Sequence, residues 1–324
     1  MEKPKLINQF GTSASSNNNN DLFGDLTFLD DDLLNLVNDG QPTRLDYNQL
    51  INEAVEQLAE VFNHVRATRR IPLTSVQNNV LPLINKAFDD FNLSRMLIAL
   101  QNKDDYTLRH SIAVGVLSVL IGKWLKLDDN DLQSILLAAT LHDIGKALLP
   151  DEILNKPGSL TPDEFEIIKK HTIFGYQLIK DTVGTSHRQA LVAIEHHERI
   201  DGSGYPFGLK EDKLSYFGKI VAVADVFHAM SSTRVYHVSL PVYRVLTELQ
   251  DGRFGKFDVN IISVFIRNTM EFLIGEQVNL SNGQAGAIVY INPFDPLRPL
   301  IKINDDEFVD LSANSNINII ELID

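Results

Sequence analysis

The sequence predicts a mainly α-helical protein: an all-helical central domain, preceded by N-terminal helices and followed by a small β subdomain. Three observations lead there. From Asp46 onward, apolar residues recur three and four positions apart, the period of an amphipathic helix. Between Leu108 and Ser232, successive helical stretches each carry a histidine or aspartate of metal-ligating type, and ligands on separate facing helices build a rigid cage. Beyond Ile274 the helical period stops, and short β-rich runs separated by turn residues begin.

Residues 11–20, GTSASSNNNN, bury too little apolar surface to offset chain entropy, so 1–20 is expected to be disordered. A helical region is expected over 21–100. It opens with a short apolar pattern and the acidic run Asp30–Asp32, a solvated face. Tyr47, Leu50, Ile51, Ala54, Leu58, Val61, Phe62 and Val65 then mark one helix. Val76, Val80, Leu83, Ile84, Phe88 and Phe91 mark a weaker one, in which Pro82 kinks or begins a helix. These helices hold no identifiable chemistry. They pack on the central domain as its extension, or they form a dimerisation bundle or a small sensor module.

The central domain is expected over 101–274. Leu108–Trp124 is one helix, with His110 in its first turn. Asp131–Ala147 is another, with His142 and Asp143 near its C-terminal end. Thr161-Pro162-Asp163-Glu164 is a capping box with proline at the first helical position, opening the helix that carries His171. Ser186–Glu198 ends in the pair His196–His197, and Phe217–Ser232 presents Asp225. Over 275–324, the runs Gln277–Leu280, Ala285–Ile291, Leu300–Ile303 and Ile317–Leu322 predict a β-meander or barrel. Ser281-Asn282-Gly283 is a hairpin signal, read as a type I′ turn. The proline-rich loop Asn292–Pro299, with its one aromatic Phe294, is a rigid loop or a partner contact.

Composition sets limits. The chain has 324 residues, 44% of them hydrophobic, and no cysteine, which fits a soluble protein of a reducing compartment. The longest apolar stretch, Ile112–Gly122, is too short to span a bilayer, and the N-terminus lacks the apolar core of a signal peptide. A cytoplasmic location and no membrane insertion are therefore expected. The net charge of −14 argues against binding DNA or RNA polymers, but a local positive pocket for a small anion remains compatible with it.

The chemistry lies in His110, His142, His171, His196 and His197 with Asp143 and Asp225. Without cysteine, a thiolate zinc site is excluded. Mixed nitrogen and oxygen donors suit octahedral manganese or iron. Two such ions offer about 12 positions. If one aspartate bridges, the side chains fill about eight, and a bridging hydroxide about two, leaving roughly two for substrate oxygens. Two divalent metals are therefore expected. Asp143 and Asp225 sit in apolar runs, where a carboxylate needs a partner or a metal. A helix end that uses His142 and Lys146 to complement its dipole leaves Asp143 unexplained. His110 alone reads as a core histidine, but its position beside the HD helix favours a ligand. His196 and His197 reach two neighbouring ions, or one bends in from the helix end. Lys146, three residues after Asp143, faces the same way and can hold a phosphate oxygen. Asp201 is either catalytic, orienting water or Lys146, or an ordinary Asp-Gly turn. Tyr205 packs on a substrate base or anchors its loop. His228 shares the face of Asp225 and touches the ligands, the substrate or only the core. His64 and His187 have no motif around them.

HDIGK, KPGSLTPDE, HHERIDGSGYP and ADVF, with Arg234 following, resemble in order and spacing the HD-GYP family of cyclic-dinucleotide hydrolases, from about Asp105 to Tyr236. The resemblance implies an all-helical HD-type domain, a bridged metal pair, cyclic di-GMP as substrate, and pGpG or GMP as product. By position it implies the metal ligands His110, His142, Asp143, His171, His196, His197 and Asp225, with Asp143 bridging. Lys146 matches the active-site lysine, Gly204-Tyr205-Pro206 the loop that names the family, and Arg234 the residue that meets phosphate. Four positions depart. Tyr106 stands where three-metal members have a glutamate, Arg234-Val235-Tyr236 replaces RPY, His237 replaces a Lys or Arg, and His228 lies in DVFHA where DVFDA is frequent. The expectation is a two-metal phosphodiesterase acting through a metal-bridging hydroxide, with Lys146, Arg234, Tyr205 and His237 on the substrate. Its rivals are another nucleotide hydrolase of the HD superfamily and a catalytically weak cyclic-dinucleotide-binding module with signalling partners or a homodimer through the N-terminal helices.

Overall fold

Helix α1 (Tyr47–Thr68) follows its sequence period: Leu50, Ile51, Ala54, Leu58, Val61, Phe62 and Val65 are all buried. In the computed structural model, residues 47–88, 106–232 and 241–323 are described. The segments predicted over 1–46, and Phe91 of the second helical pattern, lie outside them. A helical turn (Leu73–Ser75) and a π-helical segment (Val76–Val80) lead into α2 (Leu81–Phe88). Pro82 thus follows a π segment, a local adjustment that accommodates its missing N–H. α1 packs against α2, α3 and the turn after the HD pair, which is the packing alternative for this region.

Helix α3 (Tyr106–Trp124) is the central one, buried without interruption from Arg109 to Gly122. It starts two residues before the predicted Leu108, so His110 falls in its second turn. α4 (Asp129–Thr140) is capped by Asp128, which accepts from the Asp131 amide. The predicted helix through Ala147 is broken here. His142 and Asp143 lie in a turn, followed by a 3-10 turn (Ile144–Leu148). The cause is local: the His142 ring takes the Ala139 carbonyl at 2.7 Å, the carbonyl that a continuing helix would offer to the Asp143 amide. The 3-10 turn then presses against α5 (Pro162–Lys180), where a Cβ on Gly145 would stand 2.0 Å from the His171 carbonyl oxygen.

The capping box of α5 is present as predicted, with Thr161 and Glu164 satisfying each other's amides. α6 (His187–Glu195) has a second one, Ser186 with Gln189, but ends three residues before the predicted Glu198. His196 is its C-cap, and His197 lies beyond it. α7 (Tyr216–Ser231), capped by Ser215, carries Asp225 and His228. α8 (Val242–Lys256) and α9 (Val259–Glu271) close the helical part.

The C-terminal strands are β1 (Gln277–Leu280), β2 (Ala285–Tyr290), β3 (Leu300–Lys302), β4 (Phe308–Asp310) and β5 (Ile319–Ile323). They form one antiparallel sheet in the order β4-β3-β2-β1-β5. It is a meander whose last strand returns to pair with β1, with β4 and β5 at its edges rather than closed into a barrel. The three-residue β4 has too short a run to show in sequence. The Asn-Gly hairpin forms, but not as type I′. Gly283 alone takes a positive φ of 85°, and Leu280 pairs with Gln284 across a three-residue loop. Val278, Leu280, Ile288, Ile301 and Ile319 join the core. The Tyr243 hydroxyl of α8 donates to the Leu297 carbonyl at 2.6 Å and ties the sheet's Pro-rich loop to the helices, leaving Phe294 98% exposed.

Candidate metal centre

Asp143 is the hub. The turn at the end of α4 drops its carboxylate between α3, α5 and the end of α6. His171 Nε2 lies 3.2 Å and His196 Nε2 3.8 Å from Oδ1, while His142 Nε2 lies 3.3 Å and His110 Nε2 3.8 Å from Oδ2. Two buried clusters result, sharing Asp143: Asp143, His171, His196 and His197, and His110, His142 and Asp143. Asp225 spans the far side, 3.0 Å from His110 Nε2 and 3.5 Å from His197 Nδ1. Helix interiors (His110, His171, Asp225) and helix ends (His142, Asp143, His196, His197) thus bring together all seven residues expected as ligands. Asp143 Oδ1 and His142 Nε2 are buried without a hydrogen-bond partner. Buried polar atoms left so are expensive, and cations held by the two clusters would satisfy them. The donor set therefore fits a metal pair.

The imidazoles are aimed by their other nitrogens. His142, His171 and His196 direct Nδ1 at the carbonyls of Ala139, Ile168 and Val192, at 2.7, 2.7 and 3.2 Å. Donation there leaves Nε2 as the free lone pair, the tautomer a metal ligand needs. His110 is held differently. Its Nδ1 meets Nδ1 of His228 at 2.9 Å, and His228 Nε2 meets the Ser232 hydroxyl at 3.0 Å. His228 is therefore neither loose packing nor a surface residue: it braces His110 from behind. The Tyr106 ring stacks on the other side of His110, with centroids 5.6 Å apart.

Electrostatics follow from burial. Burial lowers His110, and drives His196 well below the usual imidazole range. Burial also brings His197 down to about 3. Burial opposes charge on His142 as well, but the adjacent Asp143 carries its pKa upward. Burial alone would raise the Asp143 carboxyl, yet Lys146 and His142 hold it well below the carboxylate range. Asp225 is likewise held low against burial, chiefly by His110. The aspartates are thus ionised. Lys146 Nζ lies 2.5 Å from Asp143 Oδ2, on the solvent side of the hub.

The loop after His197 is built around Glu198. This buried carboxylate accepts the amides of Phe207 and Leu209 at 2.7 and 2.9 Å. Gly204 passes so close that a Cβ would sit 2.4 Å from the Glu198 Cα. Tyr205 lies against His197, ring centroids 4.6 Å apart, and burial pushes its phenol up. Asp201 stands apart: it is exposed and accepts the Ser203 amide at 2.8 Å, the turn geometry that was its alternative reading. Arg234 and His237 lie outside the described residues. His64 and His187 are exposed. Sequence reasoning missed Glu198 altogether, since nothing in HHERIDGSGYP distinguishes a buried glutamate from a surface one.

A helical scaffold that gathers two histidine–aspartate clusters around one aspartate defines an HD-type metal centre. The chain belongs to the HD-domain family, whose profile matches residues 93–261, just over half of it, and it carries both the HD pair and the GYP tripeptide of the HD-GYP group. It is 31% identical over 254 residues to the cyclic di-GMP phosphodiesterase PA4108 of Pseudomonas aeruginosa, covering 78% of this chain and 61% of that protein. It is 41% identical over 166 residues to a cyclic di-GMP phosphodiesterase of Thermotoga maritima, covering 51% and 45%. The chain thus spans about half to three-fifths of the length of these relatives. The HDG"Y"P protein Bd1817 of Bdellovibrio bacteriovorus shares its fold, with a TM-score of 0.54 at 21% identity over 70% of this chain and 73% of that one. Among the described residues, no helix is long and apolar enough to cross a membrane.

Proposed function

We propose that this chain is a metal-dependent phosphodiesterase that hydrolyses cyclic di-GMP to linear pGpG. The observation that carries the reading is Asp143: a buried, ionised carboxylate shared by two histidine clusters, with one oxygen unpaired. The relatives named as cyclic di-GMP phosphodiesterases support the substrate. His110, His142 and Asp143 would hold one ion, and Asp143, His171, His196 and His197 the other, with Asp225 joining between His110 and His197. Manganese or iron suits these thiolate-free donors. When bound, such ions supply Lewis acidity and a nucleophilic water at neutral pH.

The chain's own residues do the rest. Lys146, half-buried at the mouth of the centre, receives a phosphate oxygen and offsets charge that builds on it during transfer. Tyr205, with its phenol kept protonated by burial, shields His197 and forms a wall for a base. Arg234 and His237, which lie outside the described residues, are assigned to the substrate by their place in the motif that follows ADVF. Tyr106 offers an aromatic face to His110 instead of a third-metal carboxylate, and His237 puts an imidazole where a permanently charged Lys or Arg is frequent. Both disfavour retention of the more highly charged linear product. A chromatographic time course with cyclic di-GMP and manganese tests this. pGpG accumulates first; GMP without a pGpG lag, or no turnover at all, contradicts it.

A further inference from the structure

Helix α1 presents two faces. One is the buried stripe that packs on the core. The other is the exposed flank of Asn63 and Arg66, which together with Ala59 and the edge of the buried Phe62 lines a cavity of about 460 Å³. Tyr106, Thr107, Leu108 and Lys146 also line it, together with Leu154 and Asn155. Lys146 and Tyr106 connect this cavity to the metal centre: the first touches Asp143, the second stacks on His110. The volume is in the range of a small-molecule site. Elsewhere along its length α1 is tied to α3 by the Arg109 guanidinium, which donates to Asn52 at 2.7 Å.

We propose that α1 is part of the substrate site, with Arg66 and Asn63 as specificity-determining residues that hold the half of a cyclic dinucleotide not undergoing hydrolysis. This rests on the phosphodiesterase reading and deepens it. A cyclic dinucleotide carries a second phosphate that does not react, and that phosphate needs its own cation. On a protein of net charge −14, the long-range field opposes an anion, so local cations decide. Lys146 serves the reacting phosphate, and Arg66 lines the same cavity. Its guanidinium can grip a phosphate through two parallel hydrogen bonds. Its present partner, Asp151 at 3.1 Å, forms an exposed pair with 47% and 58% of the side chains accessible. Such pairs are held weakly and yield to a better anion. Asn63, one turn back, is exposed and offers an amide donor and acceptor that match a purine edge.

The test compares the full-length chain with Arg66→Gln and Asp151→Asn. Two readouts are used: binding of cyclic di-GMP to chelator-treated protein by calorimetry, and metal-loaded turnover of cyclic di-GMP against bis(p-nitrophenyl) phosphate, which has a single phosphate. Arg66→Gln is expected to weaken dinucleotide binding about 10-fold, the scale of one lost charged hydrogen bond. Its preference for cyclic di-GMP over the small diester should fall by a similar factor, through KM rather than kcat. Asp151→Asn removes the same ion pair without the cation and should leave both values as they are. Loss in both variants would assign the effect to structure and overturn the proposal. An Arg66→Gln protein that binds and selects cyclic di-GMP like wild type overturns it while leaving the phosphodiesterase reading intact. A wild type that neither binds nor cleaves cyclic di-GMP removes that reading, and this proposal with it.

Discussion

At the scale of single residues, the centre works by orientation. Three of its histidines take their direction from backbone carbonyls one helical turn back, which any helix supplies. His110 takes its direction from His228, a side chain 118 positions away. That difference makes His228 testable. His228→Ala removes the group that fixes the His110 ring and is expected to weaken metal affinity about 10- to 100-fold. Titration of the metal-depleted variant, with circular dichroism to check its fold, measures this. Unchanged affinity in a folded variant would mean that Tyr106 stacking alone suffices. The residues that the fold gathers here were legible as candidate ligands from residue type and spacing. The brace was not: His228 looked the same whether it touched a ligand, a substrate or the core, because 118 residues of chain separate it from His110.

At the scale of elements, ends matter more than middles. His142, Asp143, His196 and His197 all sit where helices stop, and sequence periodicity carried both helices too far. Apolar residues continue through HDIGKALL and keep the helical period, so the break after Thr140 is invisible until the His142 ring competes for the Ala139 carbonyl. Capping boxes, by contrast, were legible at Thr161 because their signal is entirely local. The close approach of the 3-10 turn to α5 brings Asp143 to His171, and Gly145 is the residue that permits it. Gly145→Ala places a methyl into the α5 backbone and is expected to destabilise the fold by about 1–3 kcal/mol, the usual scale of overpacking. It should also reduce metal retention, because separating the two elements moves His171 from Asp143. Urea unfolding and elemental analysis together measure it. A variant with normal stability and full metal content would show that the contact is incidental.

At the scale of the whole molecule, three parts converge on one hub: the N-terminal helix α1 lines the cavity, the helices α3 to α7 supply the donors, and the loop built on Glu198 covers His197. The mainly helical architecture with a C-terminal β-meander was legible, because periodicity and turn chemistry are carried by neighbouring residues. The part played by α1 was not, since Asn63 and Arg66 read as ordinary polar positions of an amphipathic helix until the tertiary fold sets them on the same cavity as Lys146. The central claim is that one aspartate unites two metal positions. Elemental analysis of the purified chain beside its Asp143→Ala variant tests it most directly. The account predicts about two ions per chain in the wild type, from two clusters that share one carboxylate, and loss of at least one of them in the variant, together with turnover. A wild type that saturates at a single ion, or an Asp143→Ala protein that keeps two ions and hydrolyses cyclic di-GMP normally, would contradict it.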